Sequence, residues 1–282
     1  MNINPGFIAV IFTSLAWGSY LVPLRRFDRC GPMYYQWLTS VGVAVSTVLL
    51  MVWMGDVHFS WWGVLSGLCW TGGSVFSFYA VRKEGLAAGS ARWVVIAVLT
   101  AALWGKVFLG DTYSTPLMAI GGLLLLLTAI IGLSTVRSTT SQSSKGSWSP
   151  FSPLTGMFFG AYLIPMSISR LTPLEFLPGM AAGIVLGGLF IRFVLRPRIY
   201  KPVFSWGLFA GILWNVGNVG SFFAITYLGY GIGFAMTQLA LFVGVSWGAF
   251  YFKEVTGRTP LLRLFFSAAI LFSGAALLAM SR

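Results

Sequence analysis

Among side chains able to hydrogen-bond inside long apolar runs, the clearest candidates for a solute pathway lie in two short strings. Trp214-Asn215-Val216-Gly217-Asn218 and Thr237-Gln238 place three amides and a hydroxyl in otherwise apolar segments. An amide both donates and accepts hydrogen bonds, which suits a polyhydroxylated or zwitterionic solute. Polar groups at membrane depth are costly and face a cavity or another helix, so these residues either line a pathway or bond neighbouring helices. Trp17, Tyr20, Trp70, Tyr162 and Trp214 add aromatic faces on which a sugar ring can stack; the competing role is packing or an interfacial belt. Arg92, a few residues into an apolar run, either faces the pathway or snorkels to an interface. Glu175, after Thr172-Pro173, either complements a helix N-terminus or acts as a protonatable coupling group. Pro23 and Pro165 sit at equivalent ends of two runs, where a missing N–H frees a carbonyl; they are hinges, gates or plain terminators.

Enzyme chemistry has little to work with. The acids are Asp28, Asp56, Glu84, Asp111, Glu175 and Glu254, all expected in loops or at span ends, and the single histidine is His58. One histidine without a second does not make a metal site. No catalytic constellation, cofactor or metal is expected. Cys30 falls in a basic loop and Cys69 in mid-span, so no disulfide is expected. The formal charge of +12 is spread singly or in small groups between apolar runs. That is the distribution of topology determinants and not of a nucleic-acid surface.

The elements that must carry these residues are membrane helices. Hydrophobic residues make up 57% of the chain and charged residues 9%, against about 25% charged in soluble domains. Ten runs approach the roughly 20 residues a span needs: 6–23, 34–54, 60–81, 89–109, 115–136, 152–169, 174–195, 204–225, 231–252 and 261–280. The first lacks a positive leader and is expected to be a span and not a cleaved signal. The segment from Trp62 to Gly89 recurs 144 positions on as Trp206 to Gly233, with 11 of 28 residues identical. Gly18, Tyr20, Leu21 and Pro23 recur as Gly160, Tyr162, Leu163 and Pro165, and Trp104-Gly105 as Trp247-Gly248. Two homologous halves follow: a five-helix repeat over 1–136, a polar Ser-rich linker over 137–150, and a second five-helix repeat over 151–282. Five is odd, so the expected fold is an all-α integral membrane protein of ten transmembrane helices in two inverted repeats. Gly63-x-x-x-Gly67 and Gly207-x-x-x-Gly211 have the spacing of close helix packing. The Gly229-Tyr-Gly231-Ile-Gly233 turn predicts a tight hairpin that brings Asn218 and Gln238 into one cavity, without bonding to each other.

Orientation follows from the basic residues. Fifteen lie in or beside one set of loops (Arg25, Arg26, Arg29, Arg82, Lys83, Arg92, Arg137, Lys145, Arg192, Arg196, Arg198, Lys201, Lys253, Arg258, Arg263), and three (Lys106, Arg170, Arg282) in the other. The positive-inside rule then puts both termini outside a plasma or inner membrane.

The string Gly211-Ile-Leu-Trp214-Asn-Val-Gly217-Asn218, followed by Thr237-Gln238-Leu239 and by Gly248 to Lys253-Glu254, resembles the glucose/ribose porter family of the drug/metabolite transporter superfamily. Weaker counterparts are Ala16-Trp17-Gly18-Ser19, Gly67-Leu-Cys-Trp70 and Gly110-Asp111. The resemblance covers essentially the whole chain. It implies sugar uptake, with protons as candidate coupling ion, through a cavity lined by spans 1–4 and 6–9 with spans 5 and 10 at the periphery. The chain departs from the family at Arg92-Trp93-Val94-Val95, where an amide-bearing motif is usual, and at Asp111 and Lys253. An Arg92 facing the cavity would favour an anionic or zwitterionic solute. Export or exchange of amino acids or other metabolites is the alternative within transport, and a non-transporting membrane scaffold or receptor the alternative outside it. Oligomeric state is left open by the sequence.

Overall fold

An apolar run without water to bond its backbone must satisfy every N–H and C=O internally, and the helix is the form that does so within one segment. In the computed structural model, residues 4–27, 29–55, 58–84, 86–107, 109–110, 112–135, 149–253 and 257–281 are described, and among them the chain is all-helical. The elements are α1 (Pro5–Ser19), α2 (Val22–Arg26), α3 (Pro32–Met54), α4 (Trp61–Glu84), α5 (Leu86–Val107), α6 (Pro116–Ser134), α7 (Phe151–Ala161), α8 (Ile164–Ser169) and α9 (Pro173–Phe190). A π turn (Ile191–Leu195) and a 3-10 turn (Lys201–Val203) lead to α10 (Phe204–Leu228), α11 (Tyr230–Thr237), α12 (Ala240–Ser246), a second π turn (Trp247–Tyr251) and α13 (Arg258–Met280). Eight helical stretches among the described residues are long and apolar enough to cross a membrane; α5 and the shorter apolar α6 fall outside those eight. The greater part of the expected linker, and Asp28, Asp56, Asp111 and Glu254, lie outside the described residues.

Three of these stretches are interrupted. α1 gives way to α2 at Tyr20–Leu21, ahead of Pro23, and α7 gives way to α8 at Tyr162–Leu163, ahead of Pro165. Proline supplies no N–H to the preceding turn, so the helix opens there. The carbonyls at the breaks are recaptured: Tyr35 Oη donates to the Tyr20 carbonyl at 2.7 Å, and Ser66 Oγ to the Tyr162 carbonyl. A third break, at Gln238–Leu239 between α11 and α12, has no proline. The α10–α11 hairpin closes on Gly229 at φ 78 and ψ 162, a conformation open essentially to glycine alone.

Between apolar helices in lipid, packing replaces the hydrophobic force, and small residues permit the closest approach. A Cβ on Gly67 of α4 would fall 2.2 Å from the Met180 carbonyl oxygen of α9, and one on Gly211 of α10 would fall 2.2 Å from the Thr39 carbonyl oxygen of α3. Gly18 of α1 meets Ala240 and Val243 of α12, as Gly160 of α7 meets Ala97 and Thr100 of α5. Gly217 of α10 meets Ala16 and Trp17 of α1, as Gly73 of α4 meets Phe158 and Phe159 of α7. Each pair of crossings joins residues 141 to 144 positions apart in sequence. To one side α6 and α13 pack on each other, with Gly122 against the Gly274 carbonyl.

Arg25, Arg26 and Arg82 pack at one end of the helices. Arg82 Nη2 donates to the Phe27 and Cys30 carbonyls at 2.7 and 2.6 Å, Arg26 lies over Trp206, and Arg25 over Phe252. At the other end Ser114 Oγ donates to the Ser281 carbonyl at 2.9 Å, and Gly6 abuts Leu228.

These contacts set an expectation for Gly67→Ala and Gly211→Ala. Each forces a helix off a backbone carbonyl and lowers stability by about 1–3 kcal/mol, read as a fall in melting temperature of the detergent-purified protein. Gly121→Ala, whose nearest contact would be 3.9 Å away, stays at wild type. Equal melting temperatures for all three would contradict the packing.

Candidate functional site

All three helix breaks open onto one cavity of about 650 Å³, its mouth included. Trp17, Tyr20 and Leu21 come from the α1–α2 break, Trp70 from α4, Phe159 and Tyr162 from α7 and its end, and Trp214 from α10. α5 contributes Leu86, Ser90, Trp93 and Val94; α11 and α12 contribute Phe234, Gln238, Leu241 and Gly244. The wall is therefore mostly apolar and rich in aromatic rings, and no Asp, Glu, Lys, Arg or His is among the lining residues.

Its centre is an indole cluster. Trp70 and Trp214, equivalent positions in the two halves, touch with ring centroids 4.0 Å apart, and Trp17 stacks on Trp214 at 6.5 Å and 13°. Trp17 Nε1 donates to the Trp214 carbonyl at 3.2 Å, which fixes the ring. Such aromatic pairs add about 0.5–1.5 kcal/mol each beyond their burial. The two tyrosines, Tyr20 and Tyr162, are buried at equivalent breaks, and the Tyr162 hydroxyl donates to Asn218 Oδ1 at 3.5 Å. Gln238 stands at the broken turn of α11–α12. Its Nε2 donates to the Phe234 carbonyl and Thr237 Oγ1, both at 3.3 Å, and its Oε1 has no partner among the described residues.

Of the residues expected from sequence to meet the solute, Trp17, Tyr20, Trp70, Tyr162, Trp214 and Gln238 line this cavity. The others sit elsewhere. Asn215 is buried between α10 and α3, its Nδ2 donating to Ser46 Oγ at 2.9 Å and Thr47 Oγ1 at 3.1 Å; it bonds helices together. Asn218 is wholly buried behind Tyr162, whose hydroxyl donates to its Oδ1 at 3.5 Å, so Asn218 and Gln238 do not share the wall. Thr237 Oγ1 is turned to the Phe234 carbonyl at 2.7 Å. Arg92 is not among the residues lining the cavity; its Nη1 donates to Glu84 Oε2 at 2.7 Å. Glu175 closes a capping box with Thr172 at the start of α9, bonding Thr172 N and Oγ1 at 2.8 Å each, away from the cavity. Pro23 and Pro165 are buried beside the breaks they cause. α3 and α9, expected to line the cavity as spans 2 and 7, contribute no lining residue and support the wall from behind. Ser90, Trp93, Phe159 and Phe234 were not anticipated. Phe159 had a signal, since it is the repeat counterpart of Trp17.

Comparison with known proteins agrees with this geometry. The sequence profile of the family described as "Sugar transport protein" matches residues 4–281, and the chain belongs to that family. It is a family of transporters and not of enzymes, and the chain is an integral, multi-pass membrane protein. Similar proteins include transmembrane protein 144 homolog B of Dictyostelium discoideum (24% identical, covering 99% of each chain) and the glucose uptake protein GlcU of Bacillus subtilis strain 168 (21% identical, 98% of each). The GlcU of Staphylococcus xylosus is 22% identical over 90% of this chain and 91% of its own. A protein of known crystal structure superposes with a TM-score of 0.70 at 16% identity, covering 98% of this chain and 96% of the other, which is a likeness of fold.

The amides separate two kinds of variant. Gln238→Leu leaves melting temperature unchanged and weakens sugar binding roughly tenfold, the loss of about one neutral hydrogen bond. Asn215→Ala does the reverse, lowering melting temperature while binding stays near wild type. Calorimetric titration and thermal melts on both variants check this; tight binding by Gln238→Leu would remove it from the site.

Proposed function

We infer that the chain takes up a neutral monosaccharide of the glucose or ribose kind across the cell membrane by alternating access. The observation that carries the solute class is the cavity wall: stacked indoles, hydroxyls, one amide with a spare acceptor, and no charge. Aromatic faces suit the C–H faces of a sugar ring, and the few polar groups fix its hydroxyls. An amino acid carries two charges that this wall leaves unmatched, so the exporter or exchanger reading loses the support that a cavity-facing Arg92 would have lent it. The relatives named as glucose uptake proteins point the same way.

The transport mode rests on symmetry. In this reading α5 and α6 also span, giving ten transmembrane segments, five in the half before the linker and five after it, inverted about an axis between Trp70 and Trp214. Its support is the recurrence of each close crossing in the other half: Gly67 on α9 and Gly211 on α3, Gly18 on α12 and Gly160 on α5. Inverted repeats around a midplane site framed by broken helices are a recurrent transporter design. The gathering of basic residues at one end supports that end as cytoplasmic, with both termini outside. Protons are the candidate coupling ion.

Counterflow in proteoliposomes tests the reading. The expected result is saturable exchange of labelled glucose or ribose, competed by neutral monosaccharides but not by sugar phosphates or amino acids, with net uptake accelerated by an inward proton gradient. Exchange of amino acids with none of sugars would overturn the solute assignment; rates indifferent to the gradient would remove the protons.

A further inference from the structure

An ion pair lies beside the α5 part of the cavity wall. Arg92 Nη1 and Glu84 Oε2 are 2.7 Å apart, with side chains 11% and 3% exposed. The other carboxylate oxygen, Oε1, accepts from the Ser149 backbone N–H at 3.0 Å and from Ser152 Oγ at 2.9 Å. One carboxylate thus ties together the last residue of α4, the second turn of α5 and the entry of α7. Aromatic contacts reinforce the joint: Tyr79 stacks on Phe151 at 5.3 Å, and Lys83 lies 4.8 Å over the same ring. On α5 the arginine stands between Ser90 and Trp93, both of which line the cavity.

The opposite face has the same joint built differently. The repeat offset carries Glu84 to Leu228, and Ser149 and Ser152 to Phe7 and Val10. There the entry of α1 meets the end of α10 through apolar contact, with Gly6 pressed against the buried Leu228 side chain. An apolar joint weakens gradually as it parts. A buried ion pair that loses one partner leaves an uncompensated charge, so the polar joint holds or opens as a unit.

We propose that Glu84 and Arg92 are positioning residues for transport, clamping the entry of α7 to the α4–α5 hairpin and so holding the α5 wall of the cavity closed toward the basic face. This rests on the alternating-access reading, in which that wall must move once per cycle. Neither residue touches the solute; they act through Ser90 and Trp93.

The test uses the full-length protein in lipid nanodiscs with Cys30 and Cys69 replaced by serine and Ser90→Cys as reporter, labelled with a bulky hydrophilic maleimide. Glu84→Gln is expected to raise the labelling rate roughly threefold or more, as a local opening made easier. Arg92→Lys, which keeps a cation, stays near the parent rate. In the Ser90 background Glu84→Gln lowers the maximal rate of counterflow while equilibrium sugar affinity stays within about twofold, a split that general unfolding does not produce. Unchanged labelling in folded Glu84→Gln overturns the clamp. Should Glu84→Gln not fold, Ser152→Ala removes a single bond; a smaller rise supports the clamp and no rise overturns it. Labelling needs no knowledge of the solute, so a parent protein that moves no sugar defeats the transport reading while labelling still decides the clamp.

Discussion

The closeness of helix backbones at glycine governs this structure. Where Gly67 and Gly211 admit a neighbour's carbonyl to within the space of a methyl group, α4 is fixed on α9 and α10 on α3. Water cannot drive such helices together inside a bilayer, so the fit itself must hold them. Two consequences follow directly. α3 and α9 become supports behind the site and do not line it. α4 and α10 are brought face to face at the centre, where Trp70 and Trp214 meet.

Apart from α5, the remaining walls of the cavity are interrupted helices. Tyr20 and Tyr162 lie, buried, at breaks imposed by proline. Gln238 lies at a break that its repeat counterpart lacks, because α5 runs unbroken through Val95. The two halves share their crossings but differ in this one segment. Under the proposed alternating access, that difference would exchange between the two halves in the second arrangement. The polar joint at Glu84 and the apolar joint at Leu228 give the two ends different resistance to it.

Much of this was legible from repetition alone. Recurrent glycines marked positions of close packing, and four of the cavity aromatics, Tyr20, Tyr162, Trp70 and Trp214, came from repeated motifs. Phe159 was equally within reach. The amides were harder to place because sequence gives depth along a helix but not rotation about it. Asn215 is one residue from Trp214 and therefore about 100° round the helix, which turns it to α3. Asn218 shares Trp214's side of α10, yet Tyr162 covers it. Arg92 was assigned to the solute or to headgroups because its partner lies across a hairpin turn; Glu84 and Arg92 flank Gly85 closely enough for the pairing to have been considered. The break at Gln238 carries no proline and left no local mark. Resemblance to sugar porters held at the level of family, while the cavity wall removed the positive charge that had argued against a neutral sugar.

Sided labelling of the cavity bears most directly on the central claim, that one site between matched halves is reached from each face in turn. Leu241→Cys, with the native cysteines replaced, would be exposed in sealed vesicles of known orientation to an impermeant thiol reagent supplied on one side or the other. The account predicts reaction from both sides, with sugar present on one side raising reactivity from one face as it lowers it from the other. Reaction from a single face under every condition would contradict it.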